Sequence, residues 1–160
     1  MRIALLGATG DFEVTVVDRS ADALARLQGD PVKTLRIETA DPSALRDVLR
    51  GQDAVINALP YHLATLAATQ ALATGCHYFD LTEDVAATQS IMKLAEGAAT
   101  AFMPQCGLAP GFIGIVAHHL ARSFDSVIEV KMRVGALPAF PTNALKYNLT
   151  WSVDGLINEY

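Results

Sequence analysis

The sequence predicts an α/β protein: a parallel sheet with helices on both faces, followed by the start of a second, mixed α/β domain. Three observations carry this. Short apolar runs alternate with helical stretches from Val32 to about Phe124, the rhythm of strand–helix crossover units. Glycines close several helical stretches, at Gly29, Gly51 and Gly75, where a helix C-terminus prefers them. After Phe124 the style changes to a long alternating run, a Pro-rich turn and "KYNLTWSVDGLI". The expected domains are 1–124 and 125–160, the second incomplete.

The elements follow in order. Arg2 to Leu6 reads as a buried strand and Phe12 to Asp18 as a second. "SADALARLQG" is a helix and "VKTLRIE" a strand. "DPSALRDVLRG" is a helix with an Asp cap and Pro at its first position. "DAVINALP" is a strand, "YHLATLAATQALATG" a helix and "CHYFDL" a strand. "TEDVAATQSIMKLAEG" is a helix opened by a capping-box-like pair, Asp80 and Glu83. "TAFMPQCG" is a short strand and "PGFIGIVAHHLARSF" a helix. "SVIEVKMRVGALP" alternates as a longer strand.

Composition excludes several classes. With 51% hydrophobic residues, the 160-residue chain has material for a core and is not disordered. A net charge of −5 argues against a sequence-independent nucleic-acid binder. No basic run suggests a lipid surface, and no apolar run is long enough to span a bilayer. No secretory signal is expected before the first strand. Cys76 and Cys106 have no metal-ligand spacing. They read as buried thiols in a reducing cytoplasm, and no metal site is expected.

The first turn points to a dinucleotide. A glycine turn after the first strand lets backbone approach a pyrophosphate, and an acid ending the second strand holds a ribose. Gly7, Ala8, Thr9 and Gly10 occupy the turn, and Asp18 stands at the strand end. The reading is Rossmann-type. Asp18 favours NAD, while Arg19 beside it can accept the 2′-phosphate of NADP. The spacing is anomalous, because only Gly7 to Asp11 separate the two strands and a parallel crossover needs a dozen or more residues. One resolution is that the first helix, after Gly10, is absent from this chain. The other is an antiparallel hairpin of Ile3–Leu6 against Val14–Val17.

Further candidates lie where strands meet helices. Asn57, Ala58, Leu59 and Pro60 follow a strand at the edge where open α/β sheets bind ligands. Tyr61 and His62 come next, and His62 could move a proton near neutral pH. Asp80 could hold a substrate ammonium or cap the next helix. Gly107, Pro110 and Gly111 open a helix whose amides could hold a carboxylate. Lys146 and Asn148 share one face of an expected strand.

"LLGATG", "VVDRS", "NALPYHL", "HYFDLTEDV" and "QCGLAPGF", in that order, followed by "GALPAF" and "NALKYNLTWSVDGLI", resemble the saccharopine dehydrogenase-like family, which includes saccharopine and lysine 6-dehydrogenases. The resemblance covers essentially the whole chain. It implies a Rossmann domain with a second α/β domain, NAD(P)-dependent oxidation of the C–N bond of an amino acid, and a homodimer. It places Asn57–Pro60 by the cofactor. It sets Lys146 beside the substrate cleft, where it would suit a carboxylate, and His62 is the expected proton carrier by its own chemistry. The first helix and the rest of the substrate domain are departures from the family pattern. A dinucleotide-binding sensor of the same fold, without turnover, is the alternative function.

Overall fold

A computed structural model of the chain describes residues 2–3, 12–133, 135, 139, 140, 142 and 144. The strands are β1 (Arg2–Ile3), β2 (Thr15–Asp18), β3 (Lys33–Arg36), β4 (Ala54–Asn57), β5 (His77–Asp80) and β6 (Phe102–Met103). The helices are α1 (Ala21–Ala25), α2 (Pro42–Leu49), α3 (Ala64–Thr74), α4 (Val85–Ala95) and α5 (Phe112–Ala121). A 3-10 turn, Tyr61–Leu63, leads into α3. The chain forms two compact units, Met1–Gln105 and Cys106–Tyr160. Helix α5, expected in the first domain, lies in the second unit.

The first unit carries two three-stranded sheets, ordered β1-β2-β3 and β4-β5-β6. The pairs β2–β3, β4–β5 and β5–β6 are parallel, and α1, α3 and α4 supply their crossovers. β1 departs from this. It runs antiparallel to β2, with Arg2 opposite Asp18 and Ile3 opposite Val17. This corrects the parallel expectation in favour of the hairpin-type pairing. The stretch between Ile3 and Thr15 is too short for a helical crossover, whereas an antiparallel return needs only a loop.

Helices cover both faces. On one, Val17, Val55 and Tyr78 pack with Leu45 and Leu49 of α2, Ala67 and Ala71 of α3, and Ile91 of α4. On the other, Val14 and Val16 meet Leu24 of α1. Successive strand residues point to opposite faces, so Val16 and Val17 serve two different cores.

Local sequence explains the helix ends. Asp41 accepts from the Ser43 amide at 2.8 Å, and Pro42 opens α2. Gly75 closes α3 in the left-handed region, at φ 74°, where a side chain would be strained. Helix α1 is shorter than its sequence suggests. Beyond Ala25 the amides of Leu27 and Gln28 bond to carbonyls three residues back, at 3.0 and 3.3 Å, the tighter 3-10 pattern. Helix α4 is capped by Asp84, which accepts from the Ala87 amide at 2.7 Å. The expected Asp80–Glu83 capping pair is therefore corrected, because Asp80 is still in β5.

In the second unit the strand expected over 126–138 does not form across 126–133, its described part apart from residue 135. A strand requires a partner, and none of the described residues pairs with it. Ile128 is fully exposed there. Cys76 is buried and donates to the carbonyls of Leu49 and Gln52 at 3.2 and 3.1 Å, but Cys106 is exposed rather than buried. Among the described residues, no helix is long and apolar enough to cross a membrane. No three metal-ligating side chains converge there either.

Candidate functional site

Parallel strands end together, and their carboxyl ends form the edge where open α/β sheets bind ligands. In the first sheet that edge holds Asp18 and Arg36, which sit opposite each other in register. Asp18 has no exposed surface, and its Oδ1 accepts from the Ser20 amide at 2.8 Å. Arg19 and Arg36 are both exposed. Arg36 Nε donates to the Arg19 carbonyl at 3.0 Å, which holds its guanidinium beside the end of β2. Sequence reasoning named Arg19 and missed Arg36. Only the pairing of β2 with β3 brings it opposite Asp18.

In the second sheet the edge holds Asn57 and Asp80, also in register. Asn57 is buried, and its Oδ1 accepts from the Leu59 amide at 3.0 Å. Leu59 is itself part of the core. Ala58 and Pro60 are the half-buried residues of this turn, so they reach its surface. Tyr61 is half-buried and His62 exposed, and their rings meet edge to face with centroids 5.8 Å apart. Asp80 is 1% exposed. Its Oδ1 accepts from the amides of Thr82 at 3.0 Å and Gln105 at 3.1 Å, so it ties the end of β5 to the exit from β6.

An apolar cavity of about 190 Å³ also opens in this unit. Its lining runs along Phe12 to Thr15 and includes Leu45, Leu49, Ala54 and Val55. Val17, Ile56 and Phe79 line it too, so it runs along β2, β4 and β5 and leaves out their last residues, Asp18, Asn57 and Asp80.

The loop before α5 does not offer the expected free amides. Phe112 and Ile113 donate to the carbonyls of Gly107 and Leu108, at 2.9 and 3.0 Å. Gly114 and Ile115 donate to the Gly111 carbonyl at 3.1 and 3.2 Å. Gly107 and Gly111 bridge directly, and Gly111 takes φ 125°. The loop folds back so that these four amides of the helix start are satisfied within it. Gly7, Ala8, Thr9, Gly10, Lys146 and Asn148 lie outside the described residues.

Residues 2–103 match the family model described as the saccharopine dehydrogenase NADP binding domain. The chain belongs to the saccharopine dehydrogenase-like family. A relative in it, the NADP(+), L-glutamate-forming saccharopine dehydrogenase of Saccharomyces cerevisiae, is 28% identical over 167 aligned residues. That match covers 97% of this chain and 36% of the relative. A solved structure, apo histidine-tagged saccharopine dehydrogenase (L-Glu forming) from Saccharomyces cerevisiae, superposes with a TM-score of 0.69 at 28% identity. It covers 94% of this chain and 35% of that one, so this chain spans about a third of the length of the relatives it matches. Since 97% of 160 residues is about 155, at least about twelve of the 167 aligned positions face a gap in this chain.

Proposed function

We propose that the chain is the dinucleotide-binding part of an NADP-dependent oxidoreductase acting on the C–N bond of an amino acid, of the saccharopine or lysine type. The observation that carries the cofactor choice is the Arg19–Arg36 pair at the carboxyl edge of the first sheet. The Arg36 guanidinium, held at the Arg19 carbonyl beside the end of β2, suits a 2′-phosphate, which it can bind with charge-assisted hydrogen bonds, and the exposed Arg19 adds a second positive charge at the same strand end. The buried Asp18 carboxylate turns to the Ser20 amide rather than outward to a ribose. We therefore read NADP in place of the NAD preference that Asp18 alone suggests, and the NADP-binding family model supports this.

When bound, the nicotinamide accepts or returns a hydride. The protein's own groups have the tasks of binding, orientation and proton handling. Arg19 and Arg36 would hold the phosphate end, and the Ala58–Pro60 turn would line the cofactor. His62, exposed on the turn after β4, would carry the proton, with Tyr61 beside it. Lys146 and Asn148 would face the substrate. A homodimer and a cytoplasmic location rest on the family resemblance and on cysteine usage.

The test is titration with NADPH and NADH, read by nucleotide fluorescence, in the wild-type chain and in Arg36→Ala. NADPH should bind more tightly than NADH. The substitution should raise the NADPH Kd about tenfold and leave NADH within about twofold. Equal losses for both nucleotides would remove the 2′-phosphate contact. Nucleotide binding with no hydride transfer to or from saccharopine or lysine would favour the sensor reading.

A further inference from the structure

The dinucleotide reading leaves unexplained a buried polar relay between β4, β5 and the exit from β6. Asn57, Tyr78 and Asp80 are each at most 2% exposed. The Leu59 amide occupies Asn57 Oδ1, which fixes the amide so that Nδ2 donates to the Tyr78 hydroxyl at 2.8 Å. That hydroxyl has one proton to give. Asp80 Oδ2 lies 2.8 Å away and the Ala64 carbonyl 3.2 Å away, and the nearer, charged acceptor is the stronger partner. Asp80 Oδ1 then receives the Thr82 and Gln105 amides. Gln105 takes φ 63°, a conformation that a non-glycine residue keeps only where its surroundings impose it. The relay runs from Leu59 through Asn57, Tyr78 and Asp80 to Gln105.

We propose that the Tyr78 hydroxyl is a positioning group that couples the turn after β4 to Gln105, so that two loops of the carboxyl edge hold one joint geometry. Burial raises the phenol's pKa, and the Asp80 charge raises it further, so the hydroxyl remains a donor through the neutral range. Asn57 and Asp80 can exchange influence through this one oxygen, which both of them touch. The consequence for nucleotide affinity rests on the proposed function, whereas the coupling does not.

Amide hydrogen exchange tests the coupling without any ligand. In Tyr78→Phe, the Leu59 and Gln105 amides should both exchange at least about tenfold faster, while those of Leu45, Leu49 and Ile91 hold. Faster exchange throughout the sheet would show a group that only adds stability and would overturn the proposal. A change at one of the two loops, or at neither, would overturn it equally. Asp80→Asn, which keeps the shape and removes the charge, should affect the same two amides if the phenylalanine variant fails to fold. Both variants should raise the NADPH Kd about tenfold at temperatures well below unfolding. A wild-type chain that fails to bind NADPH would remove the dinucleotide reading and leave the exchange pattern to decide the coupling.

Discussion

The two sheets of the first unit are built from strands of similar length but differ in how they are held. In the second sheet, helices α3 and α4 connect and cover parallel strands. Its edge residues Asn57 and Asp80 are buried and hydrogen-bonded. In the first sheet, β1 runs backwards, β3 is exposed at every residue and α1 makes a single short helix. Its edge residues differ from each other: Asp18 is buried and bound to the Ser20 amide, while Arg36 is exposed and cationic. Where each crossover carries a helix, the strand ends become a braced interior. In the first sheet only the end of β2 is enclosed, and the end of β3 stays on the surface.

Adding a crossover helix should change the comparison most. Inserting a helix of about twenty residues between Gly10 and Asp11 should give β1 a parallel crossover and place amides against the pyrophosphate. NADPH affinity should then rise about 100-fold, as two or three new charge-assisted bonds would supply. An unchanged Kd by fluorescence titration would mean that the glycine turn is not a phosphate site.

Core truncation sharpens the contrast next. Ile91→Ala, at a fully buried position under the second sheet, should cost about 3 kcal/mol. Leu35→Ala, on β3 and 44% exposed, should stay within about 0.5 kcal/mol. Urea unfolding of the two variants reads both values, and similar losses would mean that β3 is covered in solution.

The smallest effect concerns the cap that starts α2. Hydrogen bonds from Ser43, side chain first and then backbone, hold the Asp41 carboxyl below its ordinary 3.8. A folded pKa below the unfolded one gives stability that is present above the unfolded pKa and lost as pH falls through the folded pKa. Asp41→Ala should therefore lower Tm near pH 7 by more than near pH 2. An equal difference at both values would place the effect of Asp41 in packing rather than charge.

The strands and helices of the first unit were largely legible because each carried its own punctuation. Asp41 with Pro42 marked the start of α2, and Gly75 marked the end of α3. The direction of β1 was not legible in its own residues, because a strand's sequence does not state which way its neighbour runs. The spacing to β2 left a hairpin open, and that is the arrangement found. The run over 126–133 alternates as a strand should, but alternation describes faces and cannot supply a partner. At the candidate site, Asp80 looked like a cap or an ammonium ligand because its neighbours in sequence are acidic. Its partner Gln105 lies twenty-five positions away, beyond any local pattern. Arg36 and Tyr78 were passed over for the same reason, since each gains its role from a neighbour across the sheet.

The two cores on either side of β2 have a consequence for folding. Val14, Val16 and Val17 are all buried, so a one-residue slip of β2 against its neighbours would still offer valine to each core. Hydrophobicity resists such a slip weakly, although a slip would turn every side chain to the other face. Asp18 resists it strongly. In the observed alignment its carboxylate is bound to the Ser20 amide, while a slip that put it in the place of Val17 would turn it into the apolar core and away from that amide. Asp18 thus proofreads the alignment of the strand it ends.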